Sequence, residues 1–479
     1  MEAPFKTLVI REIQGAIIDF RFWVVLALCL SIIPLSFYVS VKNYSQRLSD
    51  YQQEVQSYRD RTSVHSHMAA EGVHPPSPLS IFSQGLGNKI PYKVITSNDG
   101  NYGIEYAKPD NRQDLLGEID FAFIVSFVLS ILAIVFTFSA ISGDKESGVL
   151  RGTLSNAVLR RQVLMAKLFG NYLVFLIPFL FSILVSLLVV YFSGIIPIFS
   201  TELFPAVMVM TAISLIFLFA MFNLGLWISA LARNSILSVN VLLLIWIVLG
   251  LVVPKISPII GSVIYPVESI GVYESKKAIL RLNIMNELEK EERELFLKIR
   301  NQLRPGAEGV DGRWTDVISA YDEQYAPVRE KYDQLLASET EKLVNDYMLR
   351  CDRQNNWARN IARLSPVYAI NCLMAEFSGT GYSELDHFIQ QASVYQKYVE
   401  QNYYNKMKFK IYRDENGYMT RGAGNQDDRP TEIPVLENYK SVGIGQVLQQ
   451  NWVDIMLLCL YSLLFFVCGF ISFLRFDVR

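Results

Sequence analysis

Six apolar stretches decide what this sequence can fold into: residues 22–41, 121–141, 171–193, 204–231, 236–253 and 455–474. A hydrocarbon layer about 30 Å thick takes roughly 20 mostly apolar residues as a helix. Each stretch reaches or approaches that length, and none has Asp, Glu, Lys or Arg near its centre. Pro34 and Pro178 fall inside two of them, where neighbouring helices can satisfy the freed carbonyls. The first stretch does not read as a cleaved leader. Arg11, Asp19 and Arg21 precede it, but no small-residue cleavage site follows.

The remaining composition agrees with membrane crossing. The chain of 479 residues is 51% apolar and 19% charged, and the charged share is low for a soluble domain. Its 29 Phe and 25 Tyr exclude disorder, and five Cys are too few for a disulfide framework. A formal net charge of −2 argues against nucleic acid as a partner. The expected architecture is mainly α, with six membrane helices and a large, mostly helical part outside the bilayer.

Orientation follows from Lys and Arg in short connections. Segment 142–170 holds Lys145, Arg151, Arg160, Arg161 and Lys167. The N-terminal segment 1–21 adds Lys6, Arg11 and Arg21, the turn after residue 231 adds Arg233, and the tail 475–479 adds Arg475 and Arg479. Six crossings put all of these on one side, expected to be the cytoplasm, with both termini. Loop 194–203 has no Lys or Arg, as an outer loop should. Insertions 42–120 and 254–454 then lie outside a cell inner (plasma) membrane.

The first insertion opens with Tyr44, Leu48, Tyr51, Val55 and Tyr58, a 4-3-4-3 seam that extends the first crossing as a helix. His74-Pro75-Pro76-Ser77-Pro78 then predicts a loop, and Lys93 to Glu105 a small hairpin turning at Asp99-Gly100. In the second insertion Ile284, Leu288, Leu295 and Ile299 share a helix face that ends before Pro305-Gly306. Tyr321, Tyr325, Val328, Tyr332 and Leu335 repeat the seam, extended by Leu343 and Tyr347. An αα-hairpin over Lys276 to Ile361 is expected, with the Tyr44–Tyr58 helix on or near it. Such Tyr-rich seams read as packing surfaces for dimer or envelope-partner contacts. Phe388, Ala392, Tyr395, Val399 and Tyr403 predict a further helix, and Arg413 to Pro434 a surface loop.

No catalytic constellation is present. The sequence lacks GxxxxGK[ST], GxSxG, HExxH and paired CxxC. No cofactor or metal is expected in this chain: His65, His67 and His74 have no accompanying Cys and sit in a loop. Cys29, Cys459 and Cys468 lie in crossings as small apolar residues. Cys351 and Cys372 could bridge, or each could be buried on a helix. The absence of charge at mid-membrane argues against a secondary transporter or an ion channel and fits a machine driven from outside the bilayer.

The informative segment is ISGDKESGVLRGTLSNAVLRRQVLMAKLFGNYLVF, Ile141 to Phe175. Glu146 to Leu154 predicts a short helix with Leu150 and Leu154 on one face and Glu146 and Arg151 flanking. A turn at Asn156 to Val158 and a basic amphipathic helix follow. The pattern suits docking into a partner's groove, and it equally suits a plain connection at the headgroups.

This segment resembles the ABC-2 type permeases, the membrane subunits of ABC exporters. Their acidic residue, Gly, TL pair, small-residue turn, basic residue and Lys before Gly correspond to Glu146, Gly148, Thr153-Leu154, Ser155-Asn156, Arg160 and Lys167 with Gly170. FKTLVIREIQGAIIDFRFWVVL is similar to the family's interfacial elbow helix. The large insertions resemble the NosY-like and gliding-motility (GldF-like) branch, through HPPSPLSIFSQGL, Trp357, Arg363-Leu364-Ser365-Pro366 and the Phe388 helix.

The resemblance implies a permease in membrane lipid, paired with a second copy or a similar permease. It also implies a separate ATPase that binds ATP and Mg. Glu146, Gly148, Leu150, Arg151, Thr153, Leu154, Asn156, Arg160 and Lys167 would carry the contact with that ATPase. The rival expectation is a membrane-anchored scaffold that recruits envelope proteins and whose spans never open.

Overall fold

The computed structural model describes residues 2–64, 70–86, 91–96, 102–106, 119–155, 158–303, 315–399, 401–402, 409–413, 419–423 and 439–475. His65, His67, the Asp99-Gly100 turn, Asn156, Pro305-Gly306, Tyr403 and most of the loop expected at Arg413 to Pro434 lie outside these residues.

The fold is mainly α, and among the described residues six helical stretches are long and apolar enough to cross a membrane. Helix α1 (Glu2–Ile18) precedes α2 (Phe20–Val64). At 45 residues, α2 is about 68 Å long and runs well past a bilayer. The second stretch is interrupted: α3 (Phe121–Phe123), a π turn at Ile124–Leu129, then α4 (Ser130–Thr137). Short helices α5 (Ser142–Glu146) and α6 (Val149–Ser155) lead to α7 (Arg160–Ser193) and α8 (Phe204–Leu231). Then α9 (Ser235–Ile247) passes through a second π turn, Val248–Val252, into α10 (Val253–Ile264). Helices α11 (Ile270–Leu303), α12 (Thr315–Ala362), α13 (Pro366–Phe377), α14 (Tyr382–Val399) and α15 (Ile444–Gln450) precede the last apolar helix, α16 (Trp452–Leu474).

Lipid tails are as apolar as leucine, so such helices associate by close packing and hydrogen bonds rather than by escape from water. The sequence supplies both. Gly225 on α8 faces Thr137 so closely that a Cβ there would lie 1.9 Å from the Thr137 hydroxyl. The Asn223 amide donates to the carbonyl and hydroxyl of Ser462 on α16, both at 3.3 Å. Trp227 and Phe465 stack across the same pair.

Both insertions dip back into the bundle. Pro78–Ile81 forms a 3-10 turn, and Phe82 after it inserts between Phe37 of α2 and Phe121 of α3, with ring centroids 4.9 and 5.6 Å away. Asp120 fixes this corner by accepting from the backbone N–H of Phe123 at 2.8 Å and of Gln84 at 2.9 Å. Helix α13 packs among α3, both π turns, α8 and α16. Ser77 donates to the Ser378 carbonyl at 2.7 Å, tying the two insertions together.

The proline-rich segment is thus a joint rather than a free loop. His74 meets the Phe388 ring edge-on and the Tyr439 ring at a tilt, and its Nε2 lies 3.4 Å from the Glu384 carboxylate. Burial alone would raise Glu384. The contacts from His74, the Tyr439 hydroxyl and the Val442 N–H outweigh it and hold the carboxyl below its usual range.

Strands β1 (Ala70–Val73), β2 (Pro91–Thr96) and β3 (Tyr102–Tyr106) form an antiparallel sheet in that order, with Val94 opposite Ile104. Among the described residues, the upper part of α2 packs on β1 and on the 3-10 turn. Lys93 is the reason. Burial would lower its pKa, but the carboxylates of Glu71 (2.7 Å) and Glu54 of α2 (2.9 Å) overcome that and raise it. Part of the stretch expected as a loop is a hairpin, β4 (Phe409–Arg413) with β5 (Met419–Ala423).

Helices α11 and α12 pack antiparallel: Tyr273 stacks on Tyr347 near the base, and Phe296 meets Tyr321 near the far end. Tyr321 stacks on Tyr325 and donates to Glu292 at 2.6 Å. Tyr332 is buried with Ile284 and Leu288, and Tyr325, Val328 and Leu336 close the cluster. Leu335 is 37% exposed and outside it. A straight helix has 3.6 residues per turn, so after Tyr332 the inward position falls four residues on, at Leu336, and not three.

Helix α14 buries Phe388, Ala392, Tyr395 and Val399 as its spacing predicts. Cys351 and Cys372 are free thiols, on α12 and α13 respectively. Cys29 is buried, while Cys459 is exposed on α16.

The candidate coupling site

The segment between α4 and α7 is fastened to the bundle by charge at helix ends. Helix C-termini carry partial negative charge and N-termini partial positive charge. Lys145 donates to the carbonyls of Ala230 and, at 3.1 Å, Ala232, where α8 ends. Glu146 accepts from the Ser235 N–H at 3.3 Å, where α9 begins. Arg160 donates to the Leu474 carbonyl at 2.8 Å, where α16 ends. Three charged residues therefore each sit at the helix pole of opposite sign.

Lys167 makes a further junction. Its ammonium group is 6% exposed and lies 2.6 Å from Asp144 of α5 and 3.2 Å from Glu12 of α1. One turn on, Gly170 faces the same way. A Cβ there would come within 2.8 Å of Glu12 Cβ, so only glycine lets α1 seat against α7 at this distance. The spacing of Lys167 and Gly170 thus encodes the docking of α1.

Gly148 has φ +76, a left-handed conformation that reverses the chain between α5 and α6 and that other residues reach only with strain. On α6, Leu150 is 1% exposed and joins the bundle core, with Leu154 half-buried against that core. The face expected to be offered to a partner is thus turned inward. Leu150 is too apolar to remain wet when the bundle lies beneath it. The face left outside comprises Val149 (44% exposed), Arg151, Gly152, Ser155 and, ahead of α7, Leu159 (47% exposed). Arg151, Leu154, Ser155, Val158, Leu159 and Arg160 line a shallow cleft beside it. Thr153 bonds within its own helix, to the Val149 carbonyl at 3.0 Å.

Of the residues singled out by sequence, the structure makes Glu146, Arg160 and Lys167 joints, Leu150 and Leu154 anchors, and Arg151 a surface group. Val149 and Leu159 were not among those residues: Val149 has Thr153 at i+4 and gives no apolar spacing, and Leu159 lies beyond α6. Lys145 was missed because Ala230 and Ala232 lie far along the chain, and Asp144 because no regular helical spacing links it to Lys167.

Among the described residues, six helices long and apolar enough to cross a membrane, with a charged segment pinned across the ends of several, mark a multi-pass membrane protein. Residues 7–478 match the model of the ABC-2 family transporter proteins, and the chain belongs to that family. It is a membrane permease of an ABC transporter, a transport component that is not itself catalytic, and the family implies an ABC ATPase as partner. No curated protein matches the sequence.

Proposed function

We propose that the chain is the permease of an ABC exporter of the NosY-like or GldF-like branch. Its end bearing α1, α5 and α6 faces the cytoplasm, and both insertions lie outside the cell membrane. It pairs with a second copy or a similar permease. ATP and Mg bind to the separate ATPase, and the ATPase docks on Val149, Arg151, Ser155 and Leu159.

The observation that carries this reading is the set of charged contacts behind that face. A push on α6 reaches α8 and α9 through Lys145 and Glu146, α16 through Arg160, and α1 and α7 through Asp144 and Lys167. A plain loop needs no such grip. ATP shifts the spans only if their two arrangements bind the ATPase differently. The apolar edge of Val149 and Leu159 around Arg151 fits an apolar groove with a carboxylate in it.

Val149→Asp with Leu159→Asp tests the reading in the complex purified with its ATPase. Charging interface anchors costs about 2–4 kcal/mol, roughly thirtyfold or more in association. Co-purification should fail while the permease still inserts. Wild-type yield of ATPase and wild-type hydrolysis from the doubly charged variant would remove the docking face from consideration.

A further inference from the structure

We propose that the Arg363–Ser365 turn is a transmission joint by which the bundle moves the α11–α12 hairpin, with Arg363 as its positioning residue. The proposal extends the export reading, because it assigns the outer hairpin a driven motion.

Three observations meet at this turn. Arg363 follows the end of α12 and grips Asp454 of α16 with two parallel bonds, 2.6 and 2.9 Å long. Asp454 is 1% exposed, and this fork geometry fixes direction as well as distance. Tyr461, on the same helix as Asp454, donates to the Arg363 carbonyl. Ser365 donates to the Leu249 carbonyl inside the π turn of the fifth stretch and also accepts from the Tyr368 N–H at 3.1 Å to cap α13.

The lever is long. Helix α12 has 48 residues, about 72 Å, and its base rests on α10, where Gly261 lets Ala358 approach. A small rotation at the Arg363 turn therefore becomes a large displacement at the far end.

The drive shaft is the α8–α16 pair. Asn223, Ser462, Trp227 and Phe465 lock these helices side by side. At the far end of the pair, Lys145 holds the α8 terminus and Arg160 the α16 terminus. The pair is thus clamped at one end by the coupling segment and at the other by Arg363.

Transmission also needs an element with two arrangements. A π turn closes its backbone bonds five residues on instead of four, so it marks a place where the helix can change register. The Ser365 hydroxyl donates to the Leu249 carbonyl within that turn. Shifting the Arg363–Ser365 turn withdraws it and frees the π turn to change register.

The full chain alone, in lipid nanodiscs, suffices for the test. Spin labels at Arg293→Cys on α11 and Glu202→Cys on the bundle, in a cysteine-free background, report the hairpin's position as a distance distribution. A single narrow peak is expected. It should be lost in Arg363→Gln and largely kept in Arg363→Lys, which retains the charge. Tyr461→Phe is a milder variant for the case in which Arg363→Gln does not fold. Lys145→Met, at the opposite end of the bundle, should also lose the narrow peak. Adding Lys145→Met to Arg363→Gln (or to Tyr461→Phe) should change nothing further, because the path is already broken. A wild-type distribution in Lys145→Met overturns the proposal, as does an undiminished Lys145→Met effect in the Arg363→Gln background. No ATPase is in the sample, so failure here leaves the docking face standing, and failure of ATPase docking leaves this result intact.

Discussion

Replacing Lys167 with Met should release α1 from the bundle. The ammonium group bridges Asp144 at 2.6 Å and Glu12 at 3.2 Å and is nearly enclosed. Removing one member of a buried ion pair typically costs about 3–5 kcal/mol. The side chains of Asp144 and Glu12 remain 29% and 26% exposed, so water recovers part of that loss. We therefore expect about 2 kcal/mol, near the lower part of the range between surface and buried pairs. Repulsion between the two orphaned carboxylates adds to it, while the methionine stem keeps the packing. At about 1.4 kcal/mol per tenfold, the undocked population of α1 rises roughly thirtyfold. Amide hydrogen exchange reads this directly: α1 should exchange about thirtyfold faster, with α8 and α16 unchanged. Asp144→Asn should cost more than Glu12→Gln, because its contact is the shorter. Unchanged protection in α1, or an equal loss through every helix, would refute the assignment of Lys167 as the fastening of α1.

Three further outcomes follow from the packing. Gly225→Leu forces a side chain into Thr137 and should destabilise by about 1–3 kcal/mol, a loss that Thr137→Ala partly restores in detergent melting curves. Phe82→Ala empties the site between Phe37 and Phe121 and should cost about 3–5 kcal/mol by the same assay. Glu384 is held below its usual value of 4.5 in the folded chain. Its contribution is therefore complete above the unfolded value and disappears as pH falls through the lower folded one. Wild-type and Glu384→Gln melting temperatures should differ at pH 7 and converge in acid. Parallel curves would mean that Glu384 carries no such linkage.

The six apolar helices were legible because a bilayer demands length and apolarity, and both are local properties. The pairing of α11 with α12 was legible from its Tyr seam, although the register drifted by one position at Leu335. In the segment between α4 and α7, the face of Leu150 and Leu154 that was expected to meet a partner lies against the bundle. Leu150 could equally have faced a partner or the bundle, and only the bundle's position decides between them. Arg363 stood out only as part of a motif, and its pairing with Asp454 left no local trace, because the partners stand 91 residues apart in sequence. His74 looked like part of a loop for the same reason: Glu384 and Tyr439 complete its surroundings from far along the chain.

The burial of Phe82 and α13 in the mouth of the bundle bears on how such a protein could diversify. Those two pieces cannot be exchanged without rebuilding the membrane helices that receive them. The hairpin beyond Tyr273 and Tyr347 touches mainly itself, so it can be lengthened, shortened or replaced as a cassette. Descendants of one ancestral permease could thus acquire new partners by splicing at that stacked pair, while the bundle stays untouched. A chimaera carrying a foreign antiparallel helix pair grafted above Tyr273 and Tyr347 is accordingly the natural starting point for redirecting the protein.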